Sequence, residues 1–132
     1  MKKDKDLQQK EAAQKAKDLI VSQRAAMEAQ LMERFGAKFT EWKNQYSPRQ
    51  LNVVVVEEKL AVLRPIGASE VATFSMMVAN PEMGLDKATD YLLNELWLDG
   101  DTELINDEDY FISAMLQLQN VVELKKSNFY RL

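Results

Sequence analysis

LNVVVVEEKLAVLRPI, residues 51–66, is the one stretch of this 132-residue chain that reads as sheet, and the fold turns on it. Val53, Val54, Val55 and Val56 are β-branched residues in succession, whose stiff side chains fit a pleated strand better than a helix. Glu57, Glu58 and Lys59 interrupt the apolar run, Leu60, Val62 and Leu63 resume it, and Arg64-Pro65 stops it. Two short runs about a polar link predict a β-hairpin. The link has neither Gly nor Asn, which the tightest turns prefer, so the pattern leaves turn type and register open. Successive valines point to opposite faces, making both faces of the first strand apolar. A two-stranded hairpin is marginal alone, so helices or a partner are expected to cover it.

On the N-terminal side, Asp6 to Glu33 contains neither Pro nor Gly and is dominated by Ala, Gln, Lys, Glu and Leu, which predicts helix. Its apolar face is thin at Ala13, Ala16 and Ile20. It thickens through Met27, Leu31, Phe35, Phe39, Trp42 and Tyr46, whose spacing of three or four makes one stripe if the helix runs through Gly36. Gly36 costs ~1 kcal/mol relative to Ala in a helix, so a kink or break there is the alternative. Ser47-Pro48 ends the segment, because a residue before proline is pushed out of the helical region. A continuous helix would be about 60 Å long, more than a domain of this size can cover, and its N-terminal part is expected to protrude.

On the C-terminal side, Gly67 to Asn80 reads as a helix with Val71, Phe74, Met77 and Val78 at helical spacing and Asn80-Pro81 as its stop. After a loop from Pro81 to Leu85, Asp86 is expected to cap a helix that turns Ala88, Tyr91, Leu92, Leu96 and Trp97 inward. Asp99-Gly100-Asp101 should end it, with a short acidic linker following. The last helix is placed from near Asp107, capped by Asn106 or Asp107, with Phe111, Ala114, Met115, Leu118, Val121 and Val122 facing the core. Lys125 and Lys126 then stand near its negative end. The expected class is α+β, mostly helical: a long N-terminal helix, one β-hairpin and three C-terminal amphipathic helices.

Charge divides the chain in the same place. Residues 1–50 hold 11 Lys/Arg against 7 Asp/Glu, and residues 51–132 hold 6 against 14. A basic helical arm, 1–50, followed by an acidic hairpin-plus-helical domain, 51–132, is the expected organisation. At this length one domain buries roughly two-thirds of its unfolded surface, enough for a core without staples.

The residue types exclude much chemistry. With no histidine and no cysteine, the chain lacks the usual general base, the Ser/His/Asp and Cys/His arrangements, and every imidazole or thiolate metal site. The acidic run Asp99, Asp101, Glu103, Asp107, Glu108 and Asp109 fails as a calcium loop, since a register from Asp99 puts Leu104 where the turn needs Gly and Tyr110 where the bidentate Glu belongs. Glu57 and Glu58 are adjacent on a strand pattern and so point apart. Gly36, Gly67, Gly84 and Gly100 are scattered, with no phosphate-binding loop. No enzyme activity, cofactor or metal is expected. Lys2, Lys3, Lys5, Lys10, Lys15, Lys17 and Arg24 could touch nucleic acid, but Asp4, Asp6, Glu11 and Asp18 dilute them in a chain that is acidic overall, which argues against it. The charged start and the lack of an ~18-residue apolar run argue against a signal peptide or membrane span and for the cytoplasm. Phe35, Phe39, Trp42 and Tyr46 have two readings: core packed on the hairpin, or a helix face offered to another protein. They are the candidate partner-binding residues.

KLAVLRP at 59–65, LLNELWLDGDTELINDEDYF at 92–111 and the terminal VVELKKSNFYRL at 121–132 together resemble small proteins encoded among the structural genes of tailed phages and prophages, of the tail-assembly-chaperone-like kind. The resemblance covers about the last 80 residues and includes no catalytic motif. It implies a non-enzymatic assembly protein that binds a phage structural protein or its own copies, in the host bacterial cytoplasm. The alternatives are a structural component retained in the virion and a nucleic-acid-associated factor. No binding residue carries over from the resemblance, and the N-terminal arm has no counterpart in it.

Overall fold

In the computed structural model the backbone is described for residues 2–129 and side chains for residues 5–125. The side chains of Lys2, Lys3, Asp4 and Lys126, and residues 130–132, lie outside the described residues. The elements are α1 (Lys2–Phe35), α2 (Ala37–Tyr46), β1 (Asn52–Val56), β2 (Lys59–Leu63), α3 (Ala68–Ala79), α4 (Gly84–Leu96), β3 (Trp97–Gly100), α5 (Glu103–Asn106) and α6 (Glu108–Phe129). The class is α+β and mostly helical. The chain divides into two compact units, Met1–Asn44 and Gln45–Leu132.

In the first unit the helix does not run through Gly36. That residue stands at φ 57 and donates its N–H to the Met32 carbonyl at 2.9 Å, the left-handed cap that ends a helix where no Cβ objects. The chain then folds back. Lys43 Nζ lies 3.4 Å from Glu28 Oε1, and Thr40 Oγ1 donates to Met32 Sδ at 3.7 Å. Residues 28 and 43 would be about 22 Å apart on a straight helix, so α2 runs antiparallel to the end of α1. The single stripe expected from Met27 to Tyr46 is therefore cut into two facing pieces, with Leu31 and Phe39 buried.

In the second unit the hairpin forms with the two-residue link Glu57-Glu58, pairing Asn52 with Leu63 and Val56 with Lys59. Glu57 takes φ 55, a left-handed conformation that the absence of Gly or Asn forces on an ordinary residue. The sheet is not a bare hairpin. Trp97–Gly100, expected to close a helix, instead forms β3 antiparallel to β2, giving the order β1-β2-β3. The reason is a close approach. A Cβ at Gly100 would fall 2.6 Å from the Leu60 carbonyl oxygen and onto the Ala61 Cα, so only Gly lets this strand lie there. Leu60 and Asp101 complete the pairing: Asp101 N–H donates to Leu60 O at 2.8 Å, and Leu60 N–H to Asp101 Oδ2 at 2.9 Å.

As the central strand, β2 buries Leu60, Ala61, Val62 and Leu63, using both faces. Ala61 and Leu63 join Val54 in the main core with Phe74 of α3, Leu92, Leu93 and Leu96 of α4, Leu104 of α5, and Ala114, Leu118 and Val122 of α6. Three local expectations change. Asp86 does not cap α4, which starts at Gly84 after Met83, leaving Asp86 in the first turn. Trp97 is not on the inner face of a helix but opens β3, half-buried against the core. The acidic linker contains the short helix α5, which buries Leu104. Asp107 does cap the last helix, its Oδ1 accepting from the N–H of Asp109 at 3.0 Å and of Tyr110 at 3.4 Å.

Candidate functional site

Helix α1 is built from strong helix formers, supported along its surface by acid-before-base pairs at i, i+4, Asp6/Lys10 and Glu11/Lys15. Gln14 also donates its amide to Asp18 Oδ1 at 3.0 Å. Every residue from 5 to 26 is exposed, including Leu7, Leu19, Ile20 and Val21, each more than half exposed. Among the described residues, no side chain from 5 to 26 is buried, which distinguishes this part of α1 from α4 and α6.

The four candidate partner-binding aromatics do not form one face. Phe39 is 4 % exposed, with Lys43 Nζ over its ring at 5.3 Å. Phe35 and Trp42 are half-buried and meet edge-to-face, ring centroids 5.4 Å apart, across the turn at Gly36. Tyr46, at the end of α2, is half-buried. Phe39 is thus interior, while Phe35, Trp42 and Tyr46 keep partial exposure.

The acidic run is occupied by structural bonds. Asp99 Oδ1 accepts from the Gly100 N–H at 2.8 Å, Asp101 holds Leu60, Glu103 sits 3.9 Å from Lys59 Nζ, and Asp107 caps α6. Glu108 and Asp109 fill the first turn of α6, where they complement the helix dipole. Among the described residues no group of three or more His, Cys, Asp or Glu side chains is placed to hold a metal ion. Asp107, Asp109 and Tyr110 line an open groove with Glu57 and Val56. There Tyr110 donates its hydroxyl to Glu58 Oε1 at 3.1 Å, and that bond, with desolvation and nearby carboxylates, pushes its pKa up to about 12.

At the other end of the sheet Arg64 is bonded to Glu70 of α3 and, at 3.2 Å, to Glu95 of α4. The hydrogen bond to Glu70 raises the guanidinium above its ordinary value. Burial pushes the Glu70 carboxyl up, but hydrogen bonds from Arg64 and backbone N–H groups, with the cationic charge, bring it net below the ordinary carboxylate range. Sequence reasoning missed two exposed apolar surfaces. Met76, Val78 and Met83 stand out around α3, whose only charge is Glu70, and Ile112, Leu116 and Leu124 stand out on α6. The near-absence of charge in ASEVATFSMMVA was the available signal for the first. Among the described residues no helix is long and apolar enough to cross a membrane. Compared with known proteins, the chain matches no family model, no curated protein and no solved structure.

Proposed function

We propose that this chain is a non-enzymatic phage assembly protein, tail-assembly-chaperone-like, that acts in the host bacterial cytoplasm by binding a phage structural protein. The observation that carries the reading is the exposed course of α1 over residues 5–26. Most helical stability in proteins comes from packing of a helix face, and among the described residues nothing covers this one, so a partner that covers it would bury the exposed Leu19, Ile20 and Val21. The resemblance of residues 59–65 and 92–132 to small proteins of phage structural clusters supplies the partner class. The turn at Gly36, with Phe35 and Trp42 half-exposed beside it, offers rigid aromatic anchors where the arm begins.

Affinity capture from phage-producing cells tests this. The tagged chain should retain a phage structural protein, a chain lacking residues 2–26 should not, and purified particles should contain neither. Retention in purified particles would favour the virion-component reading instead. Capture that is unchanged by removal of residues 2–26 would exclude the arm.

A further inference from the structure

A cavity of about 360 Å³ opens in the second unit where the start of β1 meets the later part of α6. Arg49, Gln50, Asn52 and Lys125 make its polar wall, and Pro65, Val121 and Leu124 its apolar wall. No Asp or Glu lines it, although residues 51–132 hold 14 acidic residues against 6 basic. The other basic side chains described in this unit are engaged: Lys59 lies 3.9 Å from Glu103, Arg64 is bonded to Glu70 and Glu95, and Lys87 donates to the Glu82 carbonyl. Arg49 and Lys125 have no carboxylate partner among the described residues. One N–H of Arg49, on Nη2, donates to the Ile66 carbonyl at 2.9 Å, which holds the guanidinium in place and leaves its other donors for a ligand. The side-chain amides of Gln50 and Asn52 make no hydrogen bond among the described residues.

We infer that this cavity binds a carboxylate carried on an aliphatic body, the group shared by a small branched-chain acid and by the C-terminus of a peptide that ends in an apolar residue. Charge selects an anion, because two cations without a carboxylate partner share a wall that holds no acid. The guanidinium fork matches the two oxygens of a carboxylate, and the ammonium and amide N–H groups supply further donors. Phosphate fits less well for two reasons. None of the lining residues starts a helix, so no helix N-terminus faces the ligand, and the second negative charge is opposed by an acidic body. The opposite wall selects the aliphatic part. Val121 and Leu124 are three residues apart on one face of α6, Leu124 is 67 % exposed, and an aliphatic group laid on them and on Pro65 removes apolar surface from water. The volume is at the low end of small-molecule sites, which begin at about 300 Å³, so it holds one such group rather than an extended ligand. The inference is independent of the partner proposed above, whose contacts lie on α1.

The amides of Gln50 and Asn52 report the site directly by nuclear magnetic resonance. N-acetyl-leucine titrated into the isotope-labelled full chain should shift both side-chain amide signals saturably, with a Kd of roughly millimolar order or tighter. N-acetyl-leucinamide, the same body without the charge, should bind about tenfold or more weakly, and inorganic phosphate should do no better. Lys125→Gln should weaken N-acetyl-leucine binding about fivefold or more, and Leu124→Ser about threefold, whereas Lys87→Gln, remote from the cavity lining, should leave it unchanged. Arg49 also holds the Ile66 carbonyl, so Lys125→Gln rather than an Arg49 variant decides the question. An N-acetylated tetrapeptide with the same terminal leucine separates the two sources: binding about tenfold tighter than N-acetyl-leucine assigns a peptide C-terminus, and equal binding assigns a small acid. The inference is overturned if no saturable shift appears up to roughly tens of millimolar, or if the leucinamide or phosphate binds as well as the acid. It is equally overturned if Lys125→Gln binds as the native chain does.

Discussion

The side-chain amide of Gln117 bonds both backbone groups of Val55 on the outer edge of β1, donating to the carbonyl at 2.6 Å and accepting from the N–H at 3.3 Å. An unpaired strand edge is a template for another chain, and here a helix side chain completes it. Gln117→Ala leaves both Val55 groups without their partner and should cost about 1–3 kcal/mol, read as a lower urea midpoint at unchanged slope. Tyr110 acts on the same hairpin through its bond to Glu58. Because its pKa is raised from 10.0 to about 12 by folding, the stabilisation is fully present below pH 10 and is lost as pH rises through about 12. Absorbance titration should find Tyr110 ionising near the upper value in the native chain, and Glu58→Gln should bring it down. A native profile in which no tyrosine ionises near 12 would remove the bond from the account.

At the scale of elements, β3 depends on one residue. Gly100→Ala should drive β3 from β2 or force the backbone apart, with a loss of about 3 kcal/mol or more, since the atoms met are backbone rather than a movable side chain. Two aromatics of α2 respond differently. Phe39 is buried, so Phe39→Ala should cost about 3–5 kcal/mol in the stability of the element that contains it. Trp42, half-buried, should lose less stability when replaced by Ala and more of any partner affinity. A Phe39→Ala chain as stable as the native one would place Phe39 on a free surface, against its burial.

For the whole molecule, the buried residues of the main core, among the described residues, run from Val54 to Val122. Residues 45–132, expressed alone, should therefore unfold cooperatively with helix and sheet signals intact in circular dichroism. A disordered fragment would mean that the first unit supplies part of the folding energy.

The class of each long segment was legible in the sequence because it depends on near neighbours. Four consecutive valines favour strand, an Ala/Gln/Lys/Glu run favours helix, and a single Asp at 107 accepts from N–H groups two and three residues on. Stripes such as Ala114, Leu118 and Val122 followed from the same periodicity, and all three are buried. The candidate aromatics were legible as residues but not as a surface. Their placement on one stripe required a straight helix, and Gly36 allows helix or turn at similar local cost, so pairings such as Lys43 with Glu28 decide it. β3 was hidden for a related reason. Trp97 to Gly100 has no strand pattern of its own, and it becomes a strand only because β2 presents a free edge where Gly100 can approach Ala61 without a Cβ. The pairing of Gln117 with Val55, 62 positions apart, likewise has no local signature. The sequence determined the class of the long segments through propensity and period, whereas β3, edges, close approaches and reversals depend on residues distant along the chain, and only the tertiary structure decided them.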